Sequence, residues 1–204
     1  FLFNNWVYKV RKRMGELLAY EDDISADLVV PVPDSGLVPA IGYSQAKGLP
    51  LELGLIRNHY VGRSFIEPTQ ELRDIKVLMK LNSNKAVLEG KRVIVIDDSL
   101  VRGTTSKKIV NMLKRAGAKE VHMRIASPPV IGPCYFGIDT PTRDELIANR
   151  MSIEDIRKFI GADSLKYLSL EGLRSIVESP QDFCDACFSD NYPIEVEDIA
   201  FKMR

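Results

Sequence analysis

Neither sign of charge prevails in this 204-residue chain: Lys plus Arg number 28, Asp plus Glu number 28, and the formal net charge is zero. Such a balance gives no reason to expect nucleic acid as a partner, or a general attraction to membrane surfaces. No stretch comes near the ~18 uninterrupted apolar residues of a spanning helix. The opening "FLFNNWVYKVRKRMGELL" turns basic and helical within a few residues and lacks the apolar run and small-residue cleavage site of a secretory signal, so a cytoplasmic protein is the expectation. The chain has no initiator Met and starts mid-pattern, as a piece or processed product of a longer protein would. Internal repeats and low-complexity segments are also missing.

Cysteine is scarce and odd in number: Cys134, Cys184 and Cys187. Three do not make a disulfide framework. The C-x2-C spacing in "DFCDACF" suits a metal or a cluster better, yet a complete thiolate site takes about four ligands. Three free thiols, and Zn²⁺ on three thiolates, both stay open on these residues alone.

What the chain does have is alternation of strands and helices. Val7, Val10, Met14, Leu17 and Leu18 recur at helical spacing among Lys9, Arg11, Lys12 and Arg13, an amphipathic helix. "ADLVVPVP" reads as a buried strand. "DSGLVPAIGYSQAKGLP" reads as a helix capped by Asp34 or Ser35 and ended by Gly48 and Pro50. "LELGLI", "RVIVID" and "KEVHMRIAS" are three more strands. Between the last two, "TTSKKIVNMLKRAGA" predicts a helix that buries Ile109, Val110, Leu113 and Ala116. Continuous apolar strands separated by helices argue for an α/β fold, an open, mainly parallel twisted sheet with helices on both faces. One domain over 1–204 is expected, with a core at about 24–140 and a helical and irregular C-terminal extension at about 141–204. In that extension, Thr142 with Glu145 and Ser152 with Asp155 fit helix-capping patterns, and "SIEDIRKFIGADSLKYLSLEGL" reads as two short helices around a short strand.

From Arg57 to about Gly90 no period is sustained, and Arg57, Arg63, Arg73, Lys76, Lys80 and Lys85 are scattered through it. So long a loop inside a compact domain is usually functional, and a cationic, mobile lid is the expectation; a plain surface excursion is the alternative. His59 lies in it. His122 alternates with apolar residues and is expected to be structural.

The densest chemistry is in "RVIVIDDSLVRGTTSKKIV". Asp97 and Asp98 stand together where an apolar strand ends, the place where open parallel sheets bind ligands. Ser99 to Ser106 follow, with Gly103, Thr104 and Thr105. Small and hydroxylated residues at a helix N-terminus cradle phosphate through outward N–H groups. The G-x4-G-K-[ST] loop and the G-x-G-x-x-G fingerprint are both missing. Two acids beside a phosphate site would repel the anion unless they bind hydroxyls or a cation. A ribose diol and Mg²⁺ satisfy that condition. The plain alternative is an Asp pair that only caps the helix.

"VIVIDDSLVRGTTS" resembles the 5-phosphoribosyl 1-pyrophosphate (PRPP) motif of type I phosphoribosyltransferases. "VVPVPDSGLVPAIGYSQAKGLPLELGLIRNHYVGRSFIEPTQ", "MKLNSNKAVLEGKRV", "ASPPVIGPCYFGIDTPTRDELIA" and "DACFSDNYP" are similar to one family within them, the amidophosphoribosyltransferases. Together these stretches take in nearly the whole chain. The resemblance implies a pentosyltransferase that makes phosphoribosylamine and pyrophosphate from PRPP and ammonia, opening purine synthesis. It implies Asp97 and Asp98 on the ribose hydroxyls and organising Mg²⁺, and Arg102, Gly103, Thr104, Thr105 and Ser106 on the 5-phosphate. Asp34, Ser35 and Gly36 would form the pyrophosphate loop, with Ser35 near the metal. Lys80 would reach the pyrophosphate as the lid closes.

By the same resemblance, Cys134, Cys184 and Cys187 match three of the four ligands of a [4Fe–4S] cluster, the fourth lying upstream of Phe1. An N-terminal glutaminase domain, the source of ammonia, is not within these residues, so the chain alone is expected to use free ammonia. Purine nucleotides as feedback inhibitors and a homo-oligomer are also implied. Two other readings share the fold. A PRPP-sensing transcriptional regulator would carry a basic DNA-binding extension, which the balanced charge does not favour. A salvage base phosphoribosyltransferase would carry a base-binding hood.

Overall fold

The computed structural model describes residues 5–58 and 81–195. Its strands there are β1 (Leu28–Pro31), β2 (Leu55–Arg57), β3 (Leu81–Ser83), β4 (Arg92–Asp97), β5 (Glu120–Ile125) and β6 (Ser164–Tyr167). Its helices are α1 (Val7–Tyr20), α2 (Leu37–Lys47), α3 (Lys85–Leu88), α4 (Thr104–Arg115), α5 (Ile147–Arg150), α6 (Ile153–Ile160), α7 (Leu170–Arg174) and α8 (Ala186–Ser189). Four strands form the main sheet in the order β1-β4-β5-β6, all parallel. Their side chains alternate between two cores. Val30, Val93, Val95, Val121 and Met123 pack with Ile109, Val110 and Leu113 of α4 and Ile156 of α6. Val29, Ile94 and Ile96 pack with Leu18 of α1 and Ala40 and Tyr43 of α2. A strand buried on both faces must be apolar at every position, which is why these segments read as unbroken runs. Each such side chain contributes roughly 1.5–3 kcal/mol.

The α1–α2 contact runs through glycine rather than through the valines of the predicted stripe. A methyl on Gly15 would stand 1.8 Å from the Pro39 carbonyl oxygen, and one on Gly42 2.0 Å from that of Lys12. Gly15, Leu18 and Ala19 are the buried residues of α1, while Val7 is exposed.

Two other segments depart from expectation. "LELGLI" does not make one strand. Leu51 bridges Val29 at the outer edge of β1. The chain then turns at Gly54, and β2 pairs antiparallel with β3. The second departure is in the aperiodic stretch, where 81–88 holds β3 and the single turn of α3. Residues 59–80, the bulk of the expected lid with His59 and Lys80, lie outside the described residues. The segment after Ser152 follows expectation: α6, then β6, then α7, with Ser152 accepting the Asp155 N–H. β6 of the C-terminal stretch closes the main sheet. His122 is buried, its ring nitrogens 2.9 Å from Ser164 Oγ and 3.1 Å from Glu120 Oε2, a structural placement.

Connectivity fixes where a crevice opens. From β1 the chain leaves through α2 to Leu51, on the side away from β4. From β4 it leaves through α4 to β5, on the opposite side and the opposite face. The carboxyl ends of β1 and β4 therefore diverge, which is where doubly wound sheets bind ligands.

Candidate active site

A cavity of about 430 Å³ lies at that divergence, and Ser35, Asp97, Asp98 and all of Arg102 to Ser106 line it. The phosphate-cradle loop and the acid pair thus share one space with the loop after β1. Gly103 precedes α4 with φ 76°, a left-handed conformation that glycine adopts without strain. The first-turn N–H groups of α4 have no acceptor within the helix and carry its partial positive charge.

Asp97 ends β4 and is buried, and its Oδ1 accepts the Asp98 N–H at 2.9 Å. Burial, and then the Asp98 charge, push it up to about 7, against hydrogen bonds from the Asp98 N–H and the Ser35 hydroxyl. Asp98 is half-exposed; its Oδ1 accepts from the Ser99 hydroxyl at 3.3 Å and its Oδ2 from Arg11 Nη2 at 3.2 Å.

Neither Asp34 nor Ser35 caps α2, contrary to the local capping pattern. The cap position is Gly36, without a side-chain bond. Asp34 instead pairs with Arg57 and Ser35 turns to Asp97, because charged and buried partners across the crevice outcompete a local N–H. The Pro33–Asp34 peptide is cis. Asp34 and Gly36 do not line the cavity. Gly36 supports it from below: a methyl there would stand 2.2 Å from the Ile96 carbonyl oxygen. Its φ of −77° is ordinary, so space is the constraint. Gly36→Ala is expected to force the loop off β4 at a cost of ~1–3 kcal/mol, read as a fall in thermal midpoint of about 2–12 °C.

Sequence reasoning missed three side chains here. Arg11 reaches Asp98 and the Ser35 carbonyl from α1. Arg57 holds Asp34. Glu145 Oε1 accepts both Nε and Nη2 of Arg102, at 3.1 and 2.9 Å, while its Oε2 completes a capping box on Thr142. Only the box was legible, as Thr142 with Glu145.

The Ser35 hydroxyl and the two carboxylates are hard oxygen donors of the kind Mg²⁺ takes, and a cation would oppose the burial and the Asp98 charge that together hold Asp97 up. Among the described residues no three His, Cys, Asp or Glu side chains are grouped to hold a metal ion. A Mg²⁺ ion here would complete its shell with substrate oxygens and water, its usual habit.

The cysteines lie elsewhere. Ile131 and Gly132 N–H groups bond the Cys187 carbonyl, docking the Cys134 loop on α8. Burial, then Cys134 and Cys184, push the Cys187 thiol up to about 11. Among the described residues the three thiols are not grouped as a metal site.

A family model described as "Phosphoribosyl transferase domain" matches residues 4–126, which contain the cavity-lining residues and both carboxylates. The chain belongs to the phosphoribosyltransferase family. Within that family it is 56% identical over 202 residues to a chloroplastic amidophosphoribosyltransferase of Glycine max, covering 98% of this chain and 36% of that protein. It is 53% identical over 195 residues to the amidophosphoribosyltransferase of Bacillus subtilis, covering 93% of this chain and 41% of the relative. The solved glutamine PRPP amidotransferase of B. subtilis, complexed with ADP and GMP, superposes with a TM-score of 0.84 at 52% identity, covering 94% of this chain and 43% of that one. The resemblance read from the sequence therefore holds, as does the phosphoribosyltransferase fold. The chain spans about two fifths of the length of the curated relatives it matches.

Proposed function

We propose that this chain is the phosphoribosyl-transferring unit of an amidophosphoribosyltransferase, moving the phosphoribosyl group of PRPP to ammonia with release of pyrophosphate. One observation carries the reading. The acid pair at the end of β4, the N-terminal loop of α4 and Ser35 of the β1 loop all face one cavity. A ligand with a phosphate at one end, a diol in the middle and a pyrophosphate at the other meets a matching group at each.

The 102–106 loop holds the 5-phosphate through main-chain N–H groups and hydroxyls. Asp97 and Asp98 grip the ribose hydroxyls and fix the sugar so that its C1 faces the approaching acceptor. The 34–36 loop takes the pyrophosphate, and Lys80 joins it from the lid. Mg²⁺, held by Ser35, Asp97 and Asp98, would supply charge stabilisation on the leaving group. Ammonia attacks C1 itself, so no side-chain nucleophile is required. In the longer protein a glutaminase domain supplies the ammonia. A nucleoside monophosphate shares the phosphoribosyl part of PRPP and fits the same cradle, the basis of purine feedback. The implied iron–sulfur cluster has three thiols available here, and no step depends on it.

We take residues 1–204 as one such unit, homo-oligomeric by the same resemblance, with a cytoplasmic location as the expectation from its opening residues. The Glycine max relative is named chloroplastic. No described helix is long and apolar enough to cross a membrane.

Pyrophosphate release from PRPP and Mg²⁺, followed with different acceptors, tests this. Ammonium chloride is expected to support turnover by the 204 residues, and glutamine is not. Turnover with a purine or pyrimidine base and none with ammonium would replace the reading with a salvage enzyme. A gel-shift with DNA in place of turnover would replace it with a regulator.

A further inference from the structure

Arg11 is the only α1 side chain among the described contacts that reaches both sides of the crevice. Its Nη2 lies 3.2 Å from Asp98 Oδ2 and 3.3 Å from the Ser35 carbonyl oxygen. One nitrogen therefore joins the acid pair at the end of β4 to the loop after β1. The two loops share no strand beyond Pro31 and Asp97, and between them lies the space that the diol and the pyrophosphate must fill. Asp98 is held on both oxygens, by Arg11 on one and by the Ser99 hydroxyl on the other, which fixes the plane of its carboxylate. The helix carrying Arg11 is itself locked in place by the glycine contacts at Gly15 and Gly42, so the guanidinium is delivered from a rigid support.

Resting on the reaction proposed above, we infer that Arg11 is a positioning residue for PRPP: it aims Asp98 at the ribose and sets the distance from the acid pair to the pyrophosphate loop. Arg11 does not line the cavity itself. It acts through Asp98 and the Ser35 backbone. Its charge also offsets the repulsion between the adjacent carboxylates before a cation arrives. Because Arg11 and Asp98 are both half-exposed, their pair adds little to the stability of the fold. Its effect should fall on binding geometry, and that separates a positioning role from a structural one.

The test uses Arg11→Gln and Arg11→Lys in the full protein, with PRPP and Mg²⁺. Lysine keeps a donor for both acceptors on a stem of similar length; glutamine removes the charge. Arg11→Gln is expected to raise the KM for PRPP about tenfold, the loss of one charge-assisted hydrogen bond. Its kcat at saturating PRPP should stay within about twofold and its thermal midpoint within about 2 °C of the parent. Arg11→Lys should recover most of the KM. An unchanged KM in Arg11→Gln, or a KM in Arg11→Lys as high as in Arg11→Gln, would overturn the inference. So would a loss of activity that tracks a fall of many degrees in thermal midpoint. A parent protein that does not turn over PRPP would sink the proposed function instead, so the two failures are told apart.

Discussion

Replacing both carboxylates, Asp97→Asn with Asp98→Asn, should weaken PRPP binding at least about a hundredfold while making the ligand-free protein more stable. The two effects have one cause. Asp97 is buried at the end of β4, and burial with the neighbouring Asp98 charge raises it from 3.8 to about 7. A group whose folded-state value is raised contributes stability fully below its unfolded value, and that contribution is lost as pH rises through the folded value. At pH 8 the ionised Asp97 thus opposes folding by on the order of 2–4 kcal/mol, at about 1.36 kcal/mol per unit. The Asp97→Asn side chain retains an oxygen to accept the Asp98 N–H and carries no charge. Without Mg²⁺, the thermal midpoint of Asp97→Asn at pH 8 should rise by about 4–16 °C. The gain should shrink toward pH 4, where Asp97 is protonated in the folded parent and half-protonated in the unfolded chain. Calorimetry with PRPP and Mg²⁺ should show binding weakened about a hundredfold or more for the double variant, at least ~2.7 kcal/mol. A double variant that binds PRPP as tightly as the parent would remove the acids from the site. Variants no more stable than the parent would show that the burial of Asp97 carries no cost.

That such a stretch is recognisable in the sequence follows from how local its chemistry is. An unbroken apolar run, two acids and a run of small hydroxylated residues occupy consecutive positions, so strand, ligand groups and helix N-terminus all follow from one segment. The buried face of α4 was equally legible, because Ile109, Val110, Leu113 and Ala116 recur at helical spacing and all four are buried.

Features made by distant residues were not. Arg11 is one of four bases on α1, and nothing in their spacing marks the one that meets Asp98, 87 positions away. The stripe on α1 held at Met14, Leu17 and Leu18, which pack into the core, but it could not show the close helix crossing, which is decided by where side chains are missing, at Gly15 and Gly42. Asp34 and Ser35 fit a local capping rule and were drawn off by tertiary partners. Lys80, expected at the pyrophosphate, lies outside the described residues, so its role stays a proposal. The largest omission was a charge pair buried on the far face of the sheet, at Asp22 and Arg124.

Breaking that pair should cost more stability than any other single change considered. Asp22 and Arg124 side chains are 2% and 3% exposed. Asp22 accepts from Arg124 Nε at 2.5 Å and Nη2 at 3.1 Å, and from the Tyr43 hydroxyl at 2.5 Å. Arg124 Nη1 also donates to Ser164 Oγ and to the Met123 carbonyl, both at 2.9 Å. The cluster ties β5 to α2, to β6 and to the turn after α1. Burial alone would raise Asp22, but the bonds from Arg124 and Tyr43 outweigh it and hold the carboxyl below its ordinary 3.8. A lowered carboxyl contributes stability above its unfolded value and loses it as pH falls through the folded value.

Arg124→Leu leaves a buried, uncompensated carboxylate, at about 3–5 kcal/mol near pH 7, or a fall of about 6–20 °C in thermal midpoint. With Arg124 gone, burial prevails and the Asp22 value rises. The deficit relative to the parent should therefore narrow as pH drops toward 4, where the variant's carboxyl takes up a proton and the parent's does not. Adding Asp22→Asn to Arg124→Leu should recover a substantial part of the loss at neutral pH, because the amide keeps an acceptor for Tyr43 without a charge. Thermal scans of the two variants and the parent across pH 4 to 8 decide it. A deficit independent of pH, or a double variant no better than Arg124→Leu, would mean that the lost packing of the arginine stem dominates rather than the unpaired charge.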